Sequence, residues 1–215
     1  PSAPGGTRED ERISIAINAD SIATWAMGAL HDLVRERLPL EIIVDDQDFT
    51  QEWLRSGQVL GCVTTLKQAL RGCKMVPLGA MHYVAVASAE FARKHLPQGL
   101  TPHNFRDVSF LSFNRKDDMA AEFVARAFGL KRVALNHLFV PGSEAQMRAV
   151  AAGWAVGVVP ELLARGPIAD GSMVDLAPGR SLPIQLYWHC WNLESELLDA
   201  LSAALTGAAA RSLVS

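Results

Sequence analysis

Ile13-Ser14-Ile15-Ala16-Ile17-Asn18-Ala19-Asp20-Ser21-Ile22-Ala23-Thr24-Trp25 decides how this chain is read. Ile13 to Ile17 is a short apolar run bounded by polar turn residues, the pattern of a buried strand in a parallel sheet. Ile22, Trp25, Ala26, Ala29, Leu30 and Leu33 then recur at helical spacing, so one face of a helix packs on that sheet. Asp20 or Ser21 is placed to cap the helix, since a side-chain oxygen there accepts an unpaired first-turn amide. The elbow lies at the carboxyl end of a parallel strand, where ligands sit in open α/β sheets. The amides and dipole of the helix start favour a small anion such as a carboxylate. From this stretch alone, the plainer alternative that Asn18, Asp20 and Ser21 only cap the helix stays equally open.

Outward from this unit the recipe recurs. Leu40 to Val44 reads as a second strand, and Asp48 with Gln51 as a capping box for a short helix through Leu54, closed by Gly57. Val59 to Val63 is a third strand, ending at the hydroxyls of Thr64 and Thr65. Strand and helix alternating at this spacing indicates βαβ units and a parallel sheet. Lys74–Leu78 and Tyr83–Ala87 read as two strands flanking Gly79-Ala80-Met81-His82, with the crossing into a second lobe between Gly79 and Val86. There Val108–Phe113 is a strand, Asn114-Arg115-Lys116-Asp117-Asp118 its polar elbow, and Met119 to Phe128 a helix stopped by Gly129. Ala134–Val140 is a strand, Ser143 to Gln146 a capping box for a helix through Ala151, and Ala155–Val159 a strand ended by Pro160. Ser172–Leu176 reads as a short edge strand. The chain returns near Pro183-Ile184 through an apolar stretch to Trp191 and ends in a helix carrying Leu197, Leu198, Leu201 and Leu205.

The fold class is therefore α/β, with two Rossmann-like lobes joined by a two-strand crossover hinge. Residues 12–81 with 185–215 form the first lobe and 82–184 the second, and such lobes close around small ligands. The 215 residues carry 49% hydrophobic and 20% charged residues, an ordinary soluble composition. No apolar run approaches the ~20 residues of a membrane span, and no signal peptide opens the chain. A net charge of −3 makes the chain by itself a poor DNA binder. The Pro1-Ser2-Ala3-Pro4-Gly5-Gly6 start reads as a linker remnant over residues 1–11. Three cysteines without C-x-x-C spacing fit buried thiols in a reducing cytoplasm. No cofactor or metal is expected: six histidines are scattered, and there is no P-loop, G-x-S-x-G, H-E-x-x-H or dinucleotide fingerprint.

Ser56-Gly57-Gln58-Val59-Leu60-Gly61-Cys62-Val63-Thr64 and Ala151-Ala152-Gly153-Trp154-Ala155-Val156-Gly157-Val158-Val159-Pro160 resemble segments of the effector-binding portion of LysR-type transcriptional regulators. The resemblance runs from Arg12 to the last helix. Asn18 to Trp25, Leu78 to Tyr83, Asp117-Asp118-Met119, Asp175 to Gly179 and Leu186 to His189 are similar to the branch that senses lysine and arginine and controls an exporter of them. That likeness implies a fold like type 2 periplasmic binding proteins and a cytoplasmic sensor that is no enzyme. It also implies homodimers or homotetramers, and DNA contact only through an N-terminal winged helix-turn-helix absent from these residues. A solute receptor of the periplasmic type is the alternative, to be separated by a secretory signal or a helix-turn-helix upstream of Pro1.

For an effector such as L-lysine, L-arginine or L-histidine, the resemblance implies three sets of groups. Ser21 and Thr24 with the neighbouring helix amides take the α-carboxylate, helped by Asn18, Thr64 and Thr65. Asp117 and Asp118, on the turn begun by Asn114, hold the cationic end. Glu144 beside Ser143, or Asp20, takes the α-ammonium. Each has a plainer rival: first-turn acids complement a helix dipole, and threonines end strands. The Asp45, Asp46 and Asp48 cluster reads as a solvated loop and cap, and Trp25 as core.

Overall fold

The computed structural model describes residues 12–46 and 49–215. In chain order, β1 is Ile13–Asn18 and α1 Ala19–Ser21, continued by a π-turn over Ile22–Ala26 and by α2, Met27–Arg35. Then come β2 Leu40–Asp45, α3 Thr50–Arg55, β3 Gly61–Thr64, β4 Cys73–Ser88 and α4 Ala89–His95. β5 Ser109–Ser112, α5 Met119–Phe128, β6 Asn136–Phe139, α6 Ser143–Ala151, β7 Gly157–Pro160 and α7 Glu161–Asp170 follow. β8 Met173–Asp175, β9 Leu182–Trp191 and α8 Glu196–Ser212 complete the chain. This is the α/β fold expected, and the chain divides into two compact units after Gly79 and after Ile184.

The first unit, the described residues up to Gly79 with Gln185–Ser215, orders its strands β2-β1-β3-β9-β4. β1 runs parallel to both β2 and β3, with Ile15 opposite Ile42 on one flank and Gly61 on the other. Its apolar residues are all buried, as a central strand covered on both faces requires. β9 joins β3 antiparallel, which makes the sheet mixed. On one face Ala16, Leu54, Val59 and Cys62 pack with Trp53, Leu70 and Trp191. Trp188 of β9 is wholly buried and its indole N–H donates to Ser202 of α8 (2.9 Å). The thiols of Cys62, Cys73 and Cys190 are free, and burial pushes that of Cys62 up to about 12.

Two sequence expectations change here. Helical dihedrals begin at Ala19, so the N-cap is Asn18, whose side chain makes no capping bond, and Asp20 and Ser21 sit inside the first turn instead of capping it. The two strands expected on either side of Gly79-Ala80-Met81-His82 are one strand of sixteen residues. Gly79 allows this, for at φ +112 it takes a conformation few other residues adopt, and a Cβ there would stand 2.8 Å from the Val214 carbonyl oxygen. The capping-box residue Asp48 lies outside the described residues; the helix itself starts at Thr50.

The second unit, Ala80–Ile184, pairs β4 antiparallel with β7 and β8, and β5 parallel with β6. Val84, Val86, Leu111, Val150, Val159 and Met173 form its core. α5 ends on Gly129 at φ +65, the left-handed C-cap that its position after Phe128 calls for. Ser143 is the first helical residue of α6 and not its cap. The Gln146 side chain turns back to donate to the Val140 carbonyl (3.0 Å), so no reciprocal capping box forms. Two helices escaped the sequence pattern. α4 is capped by the Ser88 hydroxyl, which accepts from Phe91 N (3.1 Å), and α7 carries Pro167 in its interior.

Gly61 is where a small residue matters most to the first sheet, because a Cβ there would run into the Trp188 ring and stand 3.1 Å from the His189 carbonyl. Gly61→Ala is expected to cost about 1–3 kcal/mol, as overpacking of a full core does, read as a lower midpoint in urea unfolding.

Candidate functional site

The register of the three parallel strands brings several sequence candidates to one edge of the first unit. Asn18 stands opposite Asp45, and Ala16 opposite Cys62, so Asn18 and Thr64 end neighbouring strands on the same side. Asn18, Ser21 and Thr64 are buried, a costly setting for polar groups unless they are bonded. Ser21 Oγ accepts from Trp25 Nε1 (3.1 Å), and Thr24 Oγ1 donates to the Asp20 carbonyl (2.6 Å). Trp25 is thereby core, as its spacing indicated, and only 4% exposed. These bonds fall where the helix widens into its π-turn, a feature frequent at functional sites.

Thr64 is held firmly. Its hydroxyl donates to Gln51 Oε1 (2.9 Å) and accepts from Leu66 N (3.3 Å). Thr65, half-buried, follows it. Gln51 was read from the sequence as a capping residue; its carbonyl oxygen instead orients a strand-end hydroxyl. Asp45 organises its own loop, accepting from Asp46 N (2.8 Å) and Trp53 Nε1 (3.0 Å).

In the second unit β5 and β6 run parallel with Ser112 opposite Phe139, so the Asn114–Asp118 turn and the turn before Ser143 leave the same edge. The two aspartates of this elbow differ. Asp117 accepts from Phe113 N (2.8 Å) with one oxygen and from Met119 N (3.0 Å) with the other, closing the turn. Asn114 Oδ1 accepts from Lys116 N (2.8 Å) in the same turn. Asp118 occupies the N-cap position of α5, is exposed, and its carboxylate has no hydrogen bond or ion pair among the described residues. Ser143 is half-buried and Glu144 exposed at the start of α6. His137, which the sequence did not single out, shares a hydrogen bond with Ser112 Oγ (2.8 Å) at the end of β5. Histidine in an exposed four-residue strand gave no signal of that contact.

One edge thus offers hydroxyls beside helix amides, suited to an anion, and the other offers uncommitted carboxylates, suited to a cation. An α/β chain that presents polar turns from the carboxyl ends of parallel strands has the build of a small-molecule-binding domain. The LysR substrate binding domain family matches residues 6–210, and the chain belongs to that family. It is 38% identical over 212 residues to the HTH-type transcriptional regulator ArgP of Aeromonas salmonicida, an alignment covering 98% of this chain and 71% of that protein. The crystal structure of ArgP from Mycobacterium tuberculosis superposes with a TM-score of 0.88 at 35% identity, covering 98% of this chain and 71% of that one. Full-length LysG from Corynebacterium glutamicum with bound effector Arg superposes with a TM-score of 0.85 at 27% identity, covering 96% and 70%. The chain is a transcriptional-regulator domain, related to ArgP and LysG, and not an enzyme.

The division between the aspartates has a measurable consequence. Asp117→Ala, which strands two backbone amides, is expected to lower unfolding free energy by about 1–3 kcal/mol. Asp118→Ala, on an exposed unbonded side chain, is expected to stay within ~0.5 kcal/mol of the parent, both by urea denaturation.

Proposed function

We propose that this chain is the effector-sensing domain of a cytoplasmic LysR-type regulator and binds a basic amino acid, L-arginine or L-lysine, with L-histidine a weaker candidate. The observation that carries the reading is the likeness over 96% of the chain to LysG, a protein with Arg as its bound effector. The site chemistry agrees with it. Ser21, Thr24, Thr64 and Thr65, with Asn18 and the first amides of α1, take the α-carboxylate; Asp118, on the turn built by Asn114 and Asp117, takes the side-chain cation. Asp20 or Glu144 with Ser143 receives the α-ammonium. A charge pair at ~4 Å is worth about 4 kcal/mol at an effective dielectric near 20, of which ~1.5–3 kcal/mol survives desolvation. Two or three such contacts correspond to a Kd roughly between millimolar and micromolar, about −4 to −8 kcal/mol, suited to a metabolite pool. Binding changes DNA engagement by the N-terminal domain of the whole regulator, controlling an amino-acid exporter, to the extent that the effector favours one conformation over another.

The whole regulator works in this reading as a homodimer or homotetramer. Val44 on the edge strand β2 and Leu138 and Phe139 on the edge strand β6 are large, apolar and exposed, which supports pairing with a second copy. No helix among the described residues is long and apolar enough to cross a membrane.

Calorimetric titration with L-arginine, L-lysine and L-histidine is expected to give heat with at least one of the first two; no heat and no thermal shift with any of them removes the reading. Asp118→Ala is expected to weaken lysine binding by about 1–3 kcal/mol, and wild-type affinity in that variant would move the cation site elsewhere. Phe139→Glu is expected to shift the chain toward monomer in sedimentation equilibrium, whereas an unchanged mass would exclude the β6 edge from the contact.

A further inference from the structure

β9 carries His189 into the first unit opposite Cys62 of β3, and its side chain has no solvent exposure. Nε2 lies 2.8 Å from the Leu66 carbonyl oxygen. A carbonyl can only accept, so the ring proton sits on Nε2 and the bond fixes the tautomer. Nδ1 is then a bare acceptor, buried and without a hydrogen-bond partner among the described residues. Burial pushes the imidazole below its ordinary 6.5, with the Leu66 bond opposing in part, so the ring is neutral at neutral pH. An interior polar ring that keeps one bond and forgoes the other calls for a reason beyond packing.

The reason lies in what that one bond holds. The chain leaves β3 at Thr64 and runs through residues 65–72 without helix or strand. No ladder positions such a segment, so individual bonds must. Leu66 is gripped at both ends of its peptide: its N–H donates to Thr64 Oγ1 (3.3 Å) and its carbonyl accepts from His189 (2.8 Å). Thr64 is in turn tied to Gln51 (2.9 Å). Were the turn to drift, His189 would lose its last partner and bury two unsatisfied nitrogens.

We infer that His189 is a positioning residue for effector binding, its Nε2–H···O=C bond to Leu66 holding the Thr64–Leu66 turn in the place where the hydroxyls of Thr64 and Thr65 meet the effector carboxylate. The inference rests on the reading of those two threonines given above. Holding the turn before the ligand arrives removes an ordering cost from binding, and His189 does so without touching the ligand.

The test compares His189→Gln, whose side-chain amide can donate to Leu66, with His189→Phe, which keeps a ring and cannot. By titration with L-arginine, the Kd of His189→Phe is expected to rise about tenfold or more, as loss of a buried donor does, while His189→Gln stays within about threefold of wild type. Hydrogen exchange of the Leu66 amide is expected to accelerate in His189→Phe and not in His189→Gln, with or without arginine. A wild-type Kd in His189→Phe, or equal impairment in both folded variants, overturns the inference. If neither variant folds, nitrogen-15 shifts of the wild-type ring decide it: a pyrrole-type Nε2 and pyridine-type Nδ1 support it, and an Nδ1-protonated ring overturns it. If the wild-type chain binds no basic amino acid, the effector reading fails while the exchange comparison still tests the anchor at Leu66.

Discussion

The pairing of β1 on both flanks is the constraint from which the first unit follows. Ile15 is opposite Ile42 on one side and Gly61 on the other, so the strand can neither slip nor tilt without breaking two ladders and turning its apolar residues the wrong way. Burying residues such as Ile15 and Ile17 contributes about 1.5–3 kcal/mol each. A strand so enclosed has no face left for chemistry, and its functional groups are confined to its end. That is why Asn18, Ser21 and Thr64, all polar and all buried, gather at one edge. Their burial costs stability unless bonded, and the bonds from Trp25, Gln51 and Leu66 are the compensation.

The second unit meets the same requirement with a two-stranded parallel pair and a different economy of charge. Its turn is not built from helix amides and hydroxyls but from one aspartate that bonds the backbone twice. Asp117 closes the loop, and the adjacent Asp118 is left exposed and without a bond among the described residues. Two identical side chains in sequence therefore do different work, and the difference is set by which of them sits where Phe113 N and Met119 N converge. A carboxylate already accepting two amides is a poor partner for a further cation, since its best lone pairs are taken.

Much of this was legible because it is local. The strand at Ile13–Ile17, the helix from Met119 to Phe128 with its glycine stop, and the edge strand near Met173 rest on periodicity and on single capping residues. What was not legible depends on distant neighbours. Gly79 looked like a turn signal, yet the close approach of Val214 and Leu213 turns it into a kink within one long strand. Gly166 and Pro167 masked α7, which tolerates the proline because the helix carries on around one missing donor. The serine and glutamine of the supposed box at Ser143 are right for a cap, but Gln146 finds the Val140 carbonyl instead. His189 and Leu66 stand 123 residues apart, and nothing in an apolar run announces that its histidine will hold another strand's exit loop.

The chemistry proposed for Asp118 also bears on how lysine and arginine are told apart. A lone carboxylate takes an ammonium at one oxygen, or a guanidinium with both, and the planar fork gains a second charge-assisted bond where there is room for it. Room is a property of the turn, and the turn is fixed by Asp117 and Asn114 rather than by Asp118 itself. The two amino acids share the same α-carboxylate and α-ammonium, so the groups of the first unit cannot separate them by charge. Discrimination must then come from the geometry around a single exposed oxygen pair, and a sensor built this way would bind both effectors while letting the shape of each cation decide which conformation it favours.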